Sequence, residues 1–184
     1  ELRLSDLLVR QHAKDLTPDS DIVIVDIDDA SLAKMEPQVG SWPWPRSVHA
    51  ELIVGIRKQS PKAIVFDLNF IEKDVYRPHS DQLLNQVLRA QNNIYFTLIK
   101  QASASAVDGV LLADVAPSLG LIRSAHADPK ARAVLLPPLA LEPSAWRVGT
   151  VNFRENAGVG RQYDVFMDVQ GWLIPSLPAK VVGD

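Results

Sequence analysis

"KAIVFDLNF", residues 62–70, decides the fold. Ile64, Val65 and Phe66 form a short β-branched and aromatic run that follows Pro61 and closes on Asp67. An apolar run of that length, bounded by turn signals, predicts a buried strand. Upstream, Val48, Leu52, Gly55, Ile56 and Gln59 fall on one helical stripe, with Arg57 and Lys58 turned away. That pattern predicts a helix, stopped by Pro61, whose ring cannot continue the ladder. Further upstream, "DIVIVDID", Asp21–Asp28, holds four β-branched residues in a row without alternation. It reads as a strand covered on both faces. Downstream, Leu83, Leu84, Val87 and Leu88 mark a second helix with Ser80 as its N-cap, and "NIYFTLIK", 93–100, reads as a third strand. Strand–helix–strand–helix–strand, with connections long enough for crossovers, predicts an α/β fold: a single layered domain whose central, mainly parallel sheet is flanked by helices.

Composition narrows the function classes. The 184 residues suffice for one good-sized domain with its own core. No cysteine is present, which excludes disulfides, thiolate metal sites and cysteine nucleophiles. A net charge of −3 and a pI near 5.8 argue against a nucleic-acid footprint. No apolar run reaches the roughly 18–20 residues that cross a bilayer. The start at Glu1 rather than methionine reads as a piece excised from something longer. Leu4, Leu7 and Leu8, with Gln11 after them, show helical spacing over residues 1–15. Two readings fit that segment: an ordinary amphipathic helix, or the soluble end of a helix arriving from a membrane.

The rest of the chain is less regular. "QASASAVDG" reads as a loop, and residues 110–145, punctuated by five prolines, predict short helices and extended pieces; residues 101–135 form an irregular insertion. "WRVGTVNF", 146–153, and "QYDVFMDV", 162–169, predict a C-terminal β-hairpin joined by "RENAGVGR". Pro175 and Pro178 confine any last helix to the final few residues.

Asp26, Asp28 and Asp67 close the first two strands, and in a parallel sheet ligands bind beyond the carboxyl ends of the strands. Such carboxylates suit a hard cation, or an arginine, and equally serve as caps of helices and turns. In "WPWPR", Trp42 and Trp44 each precede proline and are pushed toward extended backbone, and Pro45 suits the first helical turn. Arg46 then sits at the wrong end of a helix dipole, which predicts an acidic partner, Asp28 or Asp67. The bland alternative packs both indoles on the core. His12, His49, His79 and His126 have no metal-ligand spacing and read as structural or solvated. No phosphate loop, dinucleotide fingerprint or nucleophile elbow appears.

The order of these features resembles the type-two CHASE domains, extracellular sensory modules of bacterial membrane receptors. The matching elements are "IVIVDIDDASL" with Asp26, Asp28 and Ser31, "WPWPRSVHAELI" with Trp44 and Arg46, and "AIVFDLNF" with Asp67 and Phe70. The Pro-rich approach to "GTVNF", with Asn152, and the closing "GWLIPSL" also fit. In "ENAGVGR", Glu155, Gly158, Val159 and Arg161 match, while Ala157 stands where the family carries aspartate, which places a polar-ligand role for that loop in doubt. The resemblance implies an extracytoplasmic sensor, anchored before residue 1 and after residue 184, without catalysis or cofactor of its own. Its candidate ligand-binding residues are Asp26, Asp28, Ser31, Trp44, Arg46, Asp67, Asn152 and Arg161, with Asp26, Asp28 and Asp67 as weak metal candidates. The signal is an unidentified small molecule or protein, the receptor a possible homodimer, and the output a cyclase, diguanylate cyclase or kinase.

Two other readings stay open. "DIDDAS" is also similar to the start of haloacid-dehalogenase-type phosphatases, with Asp26 as nucleophile, Asp28 as general acid, Mg²⁺ alongside and Thr97 on a later strand. A dimerising ectodomain without a small ligand is the third.

Overall fold

The computed structural model describes residues 2–101, 109–156 and 159–184, with the backbone alone at 2, 3, 5, 154–156 and 159–162. The chain is mixed α/β and divides into two compact units, Glu1–Trp42 and Pro43–Asp184. No helix of the described residues is long and apolar enough to cross a membrane.

In the first unit, helix α1 spans Leu2–Ala13 and carries Arg10 and His12 in its last turn, where positive charge complements the dipole. The Asp19 carboxylate accepts the Asp21 N–H at 2.9 Å and turns the chain into an extended stretch. That stretch, residues 22–28, is not the expected doubly covered strand. It belongs to no sheet among the described residues, and Ile22, Val23 and Ile24 are 70–86% exposed. β-branched residues favour an extended backbone, but a strand also needs a ladder partner. Helix α2, Asp29–Val39, follows and ends at Gly40, whose φ of 88° suits glycine. No described residue of this unit is buried.

The second unit opens with helix α3, Arg46–Arg57, then strand β1, Ile64–Phe66, helix α4, Pro78–Leu88, and strand β2, Ile94–Lys100. β1 and β2 pair in parallel, so the crossover prediction holds for this unit. β2 is the hub, its five residues from Ile94 to Leu98 all buried. β1 lies beside it and exposes Val65, so it is packed on one face rather than two. The buried face of α3 is His49, Ala50 and Ile53; of the expected stripe, Val48, Leu52 and Ile56 are half-buried and Gly55 is exposed. α4 begins two residues before the expected cap: Ser80 lies inside it, buried, and its hydroxyl instead accepts the Ser47 N–H at 2.8 Å, capping α3 from the neighbouring helix.

Between 109 and 146 the chain does run as short helices and extended pieces. Strand β3, Val110–Leu111, leads into helix α5, Leu112–Leu119, which ends at Gly120 in the left-handed region. Strands β4, Ile122–Arg123, β5, Arg132–Ala133, and β6, Leu135–Leu136, follow, with β5 on β3 and β6 antiparallel on β2. Leu112, Leu119 and Ala131 from this region enter the core. Strand β7, Val148–Thr150, runs parallel to β2, which takes it out of the expected hairpin. The C-terminal part instead holds two antiparallel pairs: β8, Phe153–Asn156, with β9, Val159–Tyr163, and β10, Phe166–Val169, with β11, Trp172–Pro175. Ala157 and Gly158 of the connecting turn lie outside the described residues. β4 extends β11, and helix α6, Leu177–Gly183, is capped by the Ser176 hydroxyl.

The parallel register places Phe66 directly beside Phe96, and the two rings stack at 5.5 Å. Phe70 closes edge-on against both, at 5.9 and 5.7 Å, an arrangement that adds to simple area burial. This aromatic cluster fixes the start of α3 over the end of β1.

Candidate functional site

Pro45 is the N-cap of α3 rather than its first residue, and Trp44 before it is buried, while Trp42 remains exposed. Arg46 lies over the Phe70 ring at 5.4 Å and donates from Nη2 to the Glu72 carbonyl at 3.2 Å. Its acidic partner is Asp81 in the first turn of α4, 4.0 Å from Nε, and neither Asp28 nor Asp67. The reason lies in the packing. The Ser47–Ser80 bond brings two helix N-termini together, and their joint positive potential favours a carboxylate there. Asp81 Oδ2 accepts the Asp74 N–H at 2.8 Å, while Asp81 Oδ1 and Arg46 Nε are buried without hydrogen bonds. His49, one turn into α3, is buried edge-on against Phe70 at 5.4 Å. Burial, with the Arg46 charge adding to it, lowers its pKa to about 4.

Asp67, Asn152 and Tyr163 lie in the second unit, after β1, after β7 and at the end of β9. Asp67 is exposed just past β1; burial of the Tyr163 hydroxyl raises its pKa, with the Asp67 charge adding a smaller push in the same direction. That hydroxyl donates to the Thr150 carbonyl at 2.6 Å. Asn152 donates to the Lys100 carbonyl at 2.9 Å and accepts the Lys100 N–H at 3.1 Å, so its amide replaces a strand neighbour. Thr97 lies 2.8 Å from Asn69 Oδ1 and 3.0 Å from the Leu68 carbonyl. Tyr163, Asn152 and Thr97 are thus each satisfied locally, by backbone groups or by Asn69.

Asp26, Asp28 and Ser31 belong to the first unit. Asp28 caps α2, accepting the Ser31 N–H at 2.8 Å and its hydroxyl at 2.6 Å, and those bonds hold its carboxyl below the ordinary value. Asp26 follows no strand, so the strand end that would present a phosphatase nucleophile is missing. Among the described residues no three His, Asp or Glu side chains group as a metal site. Arg161 lies outside the residues whose side chains are described.

One concavity escaped sequence reading. A groove of about 830 Å³ runs between α4 and residues 139–146. Leu139, Ala140, Leu141 and Trp146 contribute apolar surface, and Lys73, Asp74, Asp81, Arg89 and Glu142 contribute charge of both signs. Asn85 ties the two walls: Nδ2 donates to the carbonyls of Asp81 and Ala140, both at 2.9 Å, and Oδ1 accepts the Glu142 N–H at 2.7 Å. Arg89 grips Glu142 through two bonds of 3.0 and 2.6 Å, which hold that carboxyl below its ordinary pKa. The Trp146 indole N–H lies 3.2 Å from the carbonyls of both Pro138 and Leu141. The only sequence signal for this site was an asparagine on the apolar side of α4. The volume falls within the range of small-molecule sites, roughly 300–1,000 Å³.

The family model described as the CHASE2 domain matches residues 1–183. No curated protein and no solved structure matches the chain.

Proposed function

The chain belongs to the CHASE2 domain family, sensory domains of receptors, and from that premise we propose that it is the extracytoplasmic signal-input domain of a bacterial transmembrane receptor that binds a small molecule in the α4 groove. The groove is the observation that carries the ligand reading. Its apolar lining suits an apolar body, and its mixed-sign charges suit a polar or zwitterionic head. Occupancy then biases the receptor between two arrangements, and a cytoplasmic cyclase, diguanylate cyclase or kinase reads the difference. No residue of the domain is assigned to catalysis.

A thermal-shift panel of small metabolites and divalent cations tests the reading, with Leu139→Trp as the blocked groove. Leu139 is 48% exposed, so a larger ring there fills space without crowding the core. A ligand at 100 times its Kd adds about 2.7 kcal/mol, which moves Tm by roughly 5–10 °C for a chain of this size. The shift should vanish in Leu139→Trp. A ligand that shifts both proteins equally binds elsewhere and removes the groove from the proposal.

A further inference from the structure

The charges that line the α4 groove are almost all engaged. The Asp74 carboxylate, its side chain 7% exposed, accepts the N–H groups of Tyr76 and Arg77 at 3.2 and 2.9 Å and the Arg77 guanidinium at 2.8 Å. The buried Asp81 is turned to the Asp74 N–H and to Arg46. Both carboxylate oxygens of Glu142 accept from Arg89. Three carboxylates are thus matched by three guanidinium groups, and Lys73 is left over. It is exposed, lines the groove and forms no hydrogen bond or ion pair with the described residues. Glu72, the residue before it, does not line the groove. Gln82 and Gln86, one turn apart on α4, are likewise exposed there and add neutral amides without partners among the described residues.

On the reading that this groove is the ligand site, we infer that it selects a small organic monoanion, with its carboxylate at Lys73 and its apolar body on Leu139 and Trp146. Charge complementarity decides the class. An ammonium head would have to displace Arg77, Arg46 or Arg89, because each acid of the lining already has its cation. A zwitterion would leave its ammonium in the same position. A phosphate or a dicarboxylate would bring two negative charges to one lysine. Charge taken out of water without a partner is costly, so each of these loses to a single carboxylate. Pro78, at the start of α4, also lines the groove, and the positive end of that helix dipole adds to the field of Lys73.

Matched sets that differ only at the head provide the test: hexanoate, hexanamide and hexylamine, and phenylacetate, phenylacetamide and phenethylamine. Each is titrated into the ¹⁵N-labelled chain and followed at the Trp146 indole N–H, with Lys73→Gln, Lys73→Arg and Leu139→Trp beside the unaltered chain. At least one carboxylate should bind, and its amide and amine should bind at least ~10-fold more weakly. Lys73→Gln should raise the Kd of the carboxylate ~10-fold or more, Lys73→Arg should restore it, and Leu139→Trp should abolish binding. An amide or amine that binds as tightly as its carboxylate, or a Lys73→Gln chain that binds unchanged, would overturn the anion class; the groove itself survives that result as long as Leu139→Trp still abolishes binding. Carboxylate binding that persists in Leu139→Trp would overturn both. Silence toward every carboxylate overturns the class, and the metabolite panel on Leu139→Trp then judges the groove by itself.

Discussion

Acidification should expose His49. The imidazole is 3% exposed, packed among Phe66, Phe70 and the Arg46 guanidinium, and its pKa falls from 6.5 to about 4. The unfolded chain takes up this proton as pH drops through 6.5, while the folded chain refuses it until about pH 4. Stability from this residue is therefore fully present above pH 6.5 and declines as pH falls toward 4. One pKa unit is worth 1.36 kcal/mol, so the loss is about 2 kcal/mol between pH 7 and 5 and roughly 3 kcal/mol by pH 4. The assay is urea denaturation from pH 7.5 to 4.5, on the unaltered chain and on His49→Gln. Every other ionisable group is common to both proteins, so the difference between the curves isolates His49. The two curves should converge as pH falls. Parallel curves, or an NMR titration of His49 near 6.5, would refute the burial argument.

Arg46→Ala strands the buried Asp81 carboxylate and removes the stacking on Phe70, so it should cost ~2–4 kcal/mol in urea denaturation, well beyond a surface charge deletion. Asn85→Leu leaves the Ala140 carbonyl and the Glu142 N–H without partners; a loss of ~2–3 kcal/mol, with weakened binding of any groove ligand, is expected from paired melts and titrations. Gly149→Ala sets a methyl inside contact distance of the Ser176–Leu177 backbone, and a drop of ~2 kcal/mol or more should appear in its melt. Asp28→Ala should reduce helical circular dichroism from α2 and leave the aromatic near-ultraviolet signal of the second unit unchanged.

β2 was legible because a central strand is apolar on both faces and has nothing to hide, and the β1–α4–β2 crossover followed from spacing. Residues 22–25 read even more strongly as strand, yet they pair with nothing among the described residues, because a sequence displays propensity and not the partner. The helix stripe on α3 was off by a residue because its buried face is His49, Ala50 and Ile53, and a neutral imidazole that packs well among phenylalanines does not stand out in an apolar pattern. Val148–Thr150 looked like half of a hairpin, but its partner β2 lies about 50 residues upstream, a pairing no local signal announces. Among site residues, Arg46 was correctly read as needing an acid. The acid was Asp81, because helix-to-helix packing and not strand order decides who stands nearby. The groove went unseen since its walls come from two segments more than 50 residues apart, tied through Asn85 and the Arg89–Glu142 pair.

The approach of Gly149 to Ser176 and Leu177 has a mechanical meaning. Main chain touches main chain there, with no rotamer in between to yield. A push on the first turn of α6 is passed to β7, and through its ladder to β2, like a load through a rigid strut. The groove walls, joined through side chains, the Asn85 amide and the Arg89–Glu142 pair, are the softer joint by comparison. A molecule wedged there would strain the soft end of the domain, and the stiff end would carry the displacement onward undamped.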